Sequence, residues 1–497
     1  MKPVSPALSM HLDPAGIALE GGKGLAKQLC LALRQRILAT PATYRIKLPT
    51  SRNLALALNV SRNTVVRAYE QLYAEGYISS RVGDGTYADG LAAAAAPDLA
   101  ATAAAVPAMQ QSTMQQRLSG YGVRQRRFDG PARAFRLGVP AYDLFPSAIW
   151  ARLQSNFWRH APLAHMGYGE AAGNLRLREL VAAYLRHARG LVCEPSQIMI
   201  TAGAQHGIAL CAQLLLDAGD KVAIENPCYP SAAAALKVAG AQLVGIALDQ
   251  DGMDTAQLAQ HTDCRIAYVT PSHQYPVGVT LSLARRLELL AWAERHDSWI
   301  IEDDYDGEYR YDGTPLAPLA ALDHSARVLY VGTFSKIAFP GLRLGYLVLP
   351  AKLVPALSAL RAMSDRHPPA ADQVVMAEFI AAGHFQRHIR RMRRASRSRR
   401  DALMAAWAPL FGAQLPLPKV AAGLHLSLPL VSLQQEAELV AKAIAVGVEI
   451  NPMSRFCLSG QPVNPQHRAG LALGFAGVDE IAIHKALRLL QQAWHDL

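Results

Sequence analysis

Lys336 is the first residue whose surroundings suggest chemistry. It stands in GTFSKIAFPGLRLGY (332–346), just past an apolar run, with hydroxyls at Thr333 and Ser335 beside it and Arg343 seven residues on. A lysine fixed among small hydroxyl residues can form a Schiff base with an aldehyde, and an arginine at that spacing can clamp a phosphate on the same molecule. Asp303 lies 33 residues earlier, at the end of the apolar run in IIEDDYDGEYR (300–310). A carboxylate there can keep a pyridine nitrogen protonated, which makes such a ring an electron sink. TAGAQHG (201–207) turns from a run of strand type into one of helix type through small residues. The backbone N–H groups of Gly203, Ala204 and Gln205 can therefore meet a phosphate at the positive end of a helix. ENPCYPS (225–231) adds Tyr229, an aromatic face able to stack on a flat ring.

These four segments need a scaffold that presents them together. Short apolar runs of strand type recur at IMIT (198–201), KVAIE (221–225), RIAYVT (265–270), SWIIED (298–303), RVLYVG (327–332) and GYLVLP (345–350). Helical stretches such as AQHGIALCAQLLLD (204–217) and LSLARRLELLAWAERH (281–296) lie between them. This alternation predicts an α/β fold with a mostly parallel sheet covered by helices on both faces. Ligands of such sheets sit at the carboxyl ends of the strands, where each of the four segments falls. A lysine, a carboxylate, an anion cradle and an aromatic face in this order fit pyridoxal 5'-phosphate.

The N-terminal stretch is of a different kind. LAKQLCLALRQRIL (25–38) spaces Leu25, Leu29, Leu33 and Ile37 as the stripe of an amphipathic helix. A short helix follows from Ser51 to near Asn59, and a third opens at Ser61 as N-cap and stops at Gly76, with Val65, Tyr69 and Leu72 on one face. Helices joined by so few residues cross, as in a helix-turn-helix. YISSRVGDGTYA (77–88) predicts two short strands around Gly83-Asp84-Gly85, a wing. Arg62, Asn63, Thr64 and Arg67 then occupy the first turns of a recognition helix, where Arg reads guanine and Asn reads adenine. Arg52, Arg81 and the wing backbone are placed to hold phosphates.

Charge and composition agree with this division. The 497 residues carry a net charge of +11, and from Gly16 to Ala88 there are ten Lys and Arg against four acids, a local +6. Residues 91–116, rich in Ala and Gln and nearly uncharged, read as a linker. The expected organisation is a winged helix over 16–88, a linker over 89–130 and an α/β unit over 131–497. Average globular composition excludes a disordered or disulfide-stapled protein. The six cysteines lie far apart with no C-x-x-C pair, so buried, reduced thiols are expected and neither a zinc site nor a disulfide framework is. No stretch is apolar enough to cross a bilayer, and MKPVSPALSMHLDPAG lacks the apolar run of a signal peptide, so a cytoplasmic chain without a membrane partner is expected.

The segment LPTSRNLALALNVSRNTVVRAYEQLYAEGYISSRVGDGTY (48–87) resembles the winged helix-turn-helix of GntR regulators, departing from it at ATPATYRIK (39–47). From about residue 131 onward the chain resembles fold-type-I, class I/II aminotransferases. Together the two are similar to the MocR/GabR family of pyridoxal-phosphate-dependent transcription regulators. That resemblance implies a fold-type-I transferase domain with a smaller C-terminal α+β subdomain. It makes Lys336 the Schiff-base lysine and Asp303 the partner of the pyridine nitrogen. Tyr305 then bonds the cofactor's phenolic oxygen, Tyr229 stacks on the ring, and Thr333, Ser335 and Arg343 hold phosphate. It also implies operator double-stranded DNA, a small amine or amino-acid effector, and a homodimer.

The departures matter as much. Tyr275 in TPSHQYPVG (270–278) stands where aminotransferases carry Asn, with His273 expected to face the site. Ala472 stands where many of them place the arginine that clamps a substrate carboxylate, which argues against efficient transamination. Ser231 replaces the arginine of the family member that senses γ-aminobutyrate, pointing away from that effector. Arg455 and Arg468 remain as candidate carboxylate anchors. HFQRHIRRMRRASRSRR (384–400), with eight Arg, predicts a helix with a continuous basic surface that is solvated, faces another domain or touches DNA. A working aminotransferase with an attached DNA-binding domain, and a dimerisation scaffold without cofactor, are the rival readings.

Overall fold

A computed structural model describes residues 8–40, 44–81, 84–89, 111–119 and 133–495. The chain divides into two compact units between Gln111 and Ser112.

The N-terminal unit packs three helices, α1 (Leu25–Ala39), α2 (Ser51–Ala57) and α3 (Arg62–Ala74), with four strands. These are β1 (Leu8–His11), β2 (Tyr44–Leu48), β3 (Ser79–Arg81) and β4 (Gly85–Asp89), in the order β1-β2-β4-β3. The apolar stripe of α1 behaves as its spacing predicts: Leu29, Leu33 and Ile37 are fully buried against Leu54, Val65 and Leu72. Ser61 caps α3 by accepting from the Thr64 N–H at 3.1 Å, and Thr50 caps α2 in the same way through Asn53 at 3.2 Å. Two strands were not foreseen. β2 occupies part of the divergent 39–47 stretch, and β1 pairs with it in parallel, Leu8 opposite Tyr44, so the unit extends back beyond residue 16.

Within the expected linker, helix α4 (Thr113–Ser119) is formed. Its start is a capping box: the Ser112 hydroxyl accepts from the Gln115 N–H at 3.2 Å, and the Gln115 side chain accepts from the Ser112 N–H at 2.7 Å. Arg117 donates to the Val238 carbonyl at 3.4 Å, tying α4 to the helix Pro230–Ala239 within the second unit. Residues 90–110 and 120–130 of the expected linker, and the wing residues Val82 and Gly83, lie outside the described residues.

The second unit contains, among the described residues, an eight-stranded sheet and a three-stranded one. The larger is built from β5 (Ile198–Thr201), β6 (Lys221–Asn226), β7 (Gln242–Asp249), β8 (Gly252–Met253), β9 (Cys264–Val269), β10 (Trp299–Asp304), β11 (Val328–Thr333) and β12 (Gly345–Val348), in the order β5-β12-β11-β10-β9-β6-β7-β8. Strands β11, β10, β9, β6 and β7 run parallel, while β12 is antiparallel to β11 and β5, and β8 to β7. Continuous apolar runs such as β11, buried at every residue, need cover on both faces. Helices α5 (Ser147–His160) and α6 (Leu175–Arg189) join the cluster around Ile200, Tyr330 and Tyr346. Helices α7 (Ala204–Leu215) and α8 (Pro230–Ala239) cover Met199, Leu329 and Val331. The smaller sheet, β13 (His425–Pro429), β14 (Asn451–Pro452) and β15 (Gly470–Gly474), shares a core with Trp407, Leu487 and Trp494 and forms the expected α+β subdomain.

The arginine-rich stretch lies in the helix His384–Phe411, where Arg387, Arg390, Arg391, Arg394 and Arg397 are exposed along one side, as expected, while the last two of the eight turn inward. Arg399 is buried, bonded to the Ala476 carbonyl at 2.7 Å and to Asp143 at 2.6 Å, and Arg400 reaches the Val420 carbonyl at 2.7 Å. Arg393 donates to the Glu308 carbonyl at 3.0 Å, and Arg397 to that of Tyr311. A guanidinium offers several donors in a fixed fork, so these side chains strap loop carbonyls to the helix within their own unit.

Candidate functional site

In the N-terminal unit, Arg52, Arg62, Asn63 and Arg67 are exposed. Ser61 is exposed as well, but its hydroxyl is engaged in the cap and lies 2.8 Å from that of Thr64. Arg62 Nε donates to the Ser51 hydroxyl at 3.3 Å, which fixes the start of α3 against the start of α2. Nothing is described of the Arg81 side chain.

In the second unit, a cavity of about 1150 Å³ opens at the carboxyl ends of the parallel strands. Lys336, Asp303, Tyr305, Tyr229, Thr333, Ser335, Arg343, Ala204 and Gln205 all line it. They reach the wall from four strand ends, those of β5, β6, β10 and β11. Lys336 follows β11, and its ammonium donates to the Gly138 carbonyl at 2.8 Å. Burial pulls its pKa below the usual lysine value, against the opposing pull of Asp306 and Asp303.

Asp303 ends β10 and is 4% exposed. Its Oδ2 accepts from the Tyr268 hydroxyl at 2.7 Å, while its Oδ1 is buried with no partner among the described residues. Burial raises its pKa to about 6, with neighbouring Asp304 adding to the rise and Tyr268 and Lys336 opposing it. Strand alternation sends Asp304 to the opposite face, where it is tied to buried Arg189 and to the Tyr330 hydroxyl at 2.7 Å. Two adjacent acids thus serve different ends, one structural and one facing the cavity.

Gly203 caps α7 without a side-chain acceptor, at φ 87° and ψ 171°, a conformation essentially restricted to glycine. The first N–H groups of α7 have no partner within the helix, so they give the cavity the positive end of a helix. A Cβ at 203 would also lie 3.5 Å from the Arg343 guanidinium, which marks how near that cation stands to the helix start. Tyr229 precedes α8 and packs edge-on against Tyr275, with ring centroids 5.4 Å apart.

The candidate effector residues divide. Arg455, on the short turn Met453–Phe456, lines the cavity. Arg468 does not, and neither does His273, which is 3% exposed and stands against Tyr305 and Asp306. The residues after β9 that do reach the cavity are Thr270 and Tyr275. Sequence reasoning missed Tyr268, whose role depends on strand pairing: Ile301 lies opposite it, so Tyr268 and Asp303 share a sheet face. It also missed Arg136 and Glu449, which line the cavity and pair at 2.9 Å across 313 positions of sequence.

Comparison with known proteins decides what this architecture belongs to. Residues 25–88 match the model of bacterial regulatory proteins of the gntR family, and residues 135–449 match that of aminotransferase class I and II. The probable rhizopine catabolism regulatory protein MocR of Rhizobium meliloti is 35% identical over 94% of this chain and 93% of its own. The chain belongs to the MocR family of HTH-type transcriptional regulators. The family's shared plan, a gntR-type DNA-binding domain followed by an aminotransferase-like domain, runs through the whole match. The pyridoxine biosynthesis regulator PdxR of Corynebacterium glutamicum is 32% identical over 94% of this chain and 95% of its own. Among solved structures, the Pyrococcus horikoshii kynurenine aminotransferase, solved with PMP, superposes with a TM-score of 0.66 and 27% identity over 78% of this chain and 95% of its own. As a MocR-type regulator the chain has an aminotransferase fold in its second unit, and among the described residues no helix is long and apolar enough to cross a membrane.

Proposed function

We propose that this regulator binds pyridoxal 5'-phosphate in the strand-end cavity and couples its state, and that of a small amine or amino-acid effector, to operator DNA held by the N-terminal unit. The observation that carries the reading is the unpartnered Oδ1 of Asp303 on the same cavity wall as Lys336. A buried acceptor without a donor is costly, and a protonated pyridine nitrogen is the partner it lacks. Lys336 would hold the cofactor covalently. Its lowered pKa raises the fraction of neutral, nucleophilic amine. The N–H groups of Ala204 and Gln205 at the start of α7, with Thr333, Ser335 and Arg343, would hold the phosphate; Tyr229 would stack on the ring, and Tyr305 would donate to its phenolic oxygen. When bound, the cofactor supplies an aldehyde carbon for which an effector amine competes with Lys336.

Arg455 offers the cavity a cation for an effector carboxylate. Ala472, buried on β15 opposite Ser427 and Asn451, supplies none, which favours sensing over turnover. The family resemblance implies a homodimer acting in the cytoplasm, its two winged helices reading paired half-sites. An effector acts only by binding one arrangement of the two units better than another.

The test is a spectral titration of the cofactor-loaded chain with a panel of amines and amino acids, with DNA binding followed in parallel by fluorescence anisotropy. The expected result is a visible band, lost in Lys336→Ala, that one class of amine displaces while changing DNA affinity. Steady release of an oxo acid from an amino donor and 2-oxoglutarate would instead make the protein a working aminotransferase.

A further inference from the structure

Behind Tyr305 stands a buried polar cluster that the cofactor reading leaves unused. His273, Asp306 and His425 bring their imidazole nitrogens and carboxylate oxygen within 4.8 Å of one another, all three buried. His273 Nδ1 lies 2.9 Å from Asp306 Oδ2 and 3.1 Å from Tyr305 Oη, and the Tyr305 hydroxyl donates to the His273 carbonyl oxygen at 2.8 Å. A carboxylate oxygen accepts, so the hydrogen between Asp306 and His273 belongs to Nδ1, within reach of Tyr305 Oη. The ring is held in place from behind, since a Cβ at Gly423 would fall 1.9 Å from it.

His425 does not compete for this role. Its Nε2–H donates to the Pro276 carbonyl at 3.1 Å, and its Nδ1 has no partner among the described residues. Burial, with His273 beside it, holds its pKa well below the usual histidine value, so it stays neutral.

We propose that His273 and Asp306 form a positioning pair for Tyr305: Asp306 orients the His273 N–H, which bonds the phenol oxygen and keeps it in place when the phenol proton turns from the His273 carbonyl to the cofactor's oxygen. The inference rests on the pyridoxal phosphate reading and assigns these residues a role that reaches the cofactor only through Tyr305. A hydroxyl whose oxygen accepts a hydrogen bond is polarised into a stronger donor. Donation to the cofactor's phenolic oxygen stabilises the anionic oxygen and makes the cofactor–lysine nitrogen less basic. An intact pair therefore lowers the pH midpoint of the visible band, and a broken pair raises it. The other titratable groups facing Tyr305 and this pair are Asp303 on the same segment, Glu225 from β6, Tyr275 from the segment after β9, Lys336 after β11 and His425 from β13.

The experiment is a pH titration of the visible band in the full chain loaded with pyridoxal phosphate. His273→Phe is expected to raise the midpoint by roughly one pH unit, the scale set by loss of one charge-assisted hydrogen bond, and Asp306→Asn to raise it by less, because the lost carboxylate also favours the protonated lysine nitrogen. His273→Asn, which keeps a side-chain N–H near the Nδ1 position, is expected to move it back toward the native value. In a Tyr305→Phe background none of the three should raise it further. Native midpoints in Asp306→Asn and His273→Phe, or upward shifts that persist without the Tyr305 hydroxyl, would overturn the proposal while leaving the cofactor site intact. Should His273→Phe fail to fold, Asp306→Asn, which conserves size, decides the matter. A native chain with no visible band, or one unchanged in Lys336→Ala, would overturn both this inference and the reading beneath it.

Discussion

Asp303 concentrates the electrostatics of the cavity. One oxygen is satisfied by Tyr268 and the other is left for a ligand, at a site where burial alone makes a charge expensive. Asp303→Asn keeps the shape and removes the charge, so cofactor affinity measured by absorbance titration should fall about ten- to a hundred-fold, the worth of one charge-assisted hydrogen bond. Stability should follow the same logic. Burial raises Glu225, Glu302 and Glu308 to about 7 and Asp303 to about 6, above their values in an unfolded chain. The folded state then binds more protons than the unfolded one between roughly pH 4 and 7. These groups favour the fold most at the acid end of that window and lose that contribution as the pH rises through 6 to 7. Thermal melts of Glu225→Gln and Glu302→Gln should show a flatter decline across the window than native chain. A decline as steep as native would mean these acids are already charged in the fold. At this scale Lys336, Asp303, Tyr229 and Arg343 were legible because each sits at a strand end in a recognisable segment. Tyr268, and the Arg136–Glu449 pair, were not, because their roles come from strand pairing and chain closure rather than spacing.

At the scale of elements, the turn from β5 into α7 does what no single side chain could. Its glycine adopts a conformation forbidden to other residues, and the helix behind it aims N–H groups into the cavity. Gly203→Ala should therefore retain the overall fold, by circular dichroism, yet weaken binding of pyridoxal phosphate by about tenfold or more, since backbone strain of this kind costs on the order of 1–3 kcal/mol. Unchanged affinity would show that the helix end takes no part. The six strands read from apolar runs were found within one or two residues of their expected bounds. β1 and β2 were missed because a strand such as YRIKL carries its signal in pairing with distant partners. α4 was missed because a run rich in Ala and Gln hid a capping box at Ser112 and Gln115. The basic helix keeps its expected exposed side, but a count of arginines does not reveal that Arg399 and Arg400 are buried against carbonyls.

Across the whole molecule, the two units divide the chemistry. One carries exposed Arg and Asn at the start of a capped helix, and the other carries a lysine, an acid and a helix end around one cavity. Ties to transcription and to the aminotransferase fold follow from family membership; covalent capture of the cofactor at Lys336 is what would join them. The most direct measurement is reduction of the pyridoxal phosphate-loaded chain with borohydride, followed by peptide mass mapping. The account predicts a single phosphopyridoxyl mark on the peptide containing Lys336, absent in Lys336→Ala. A chain left unmarked, or marked with equal yield at other lysines, would contradict it.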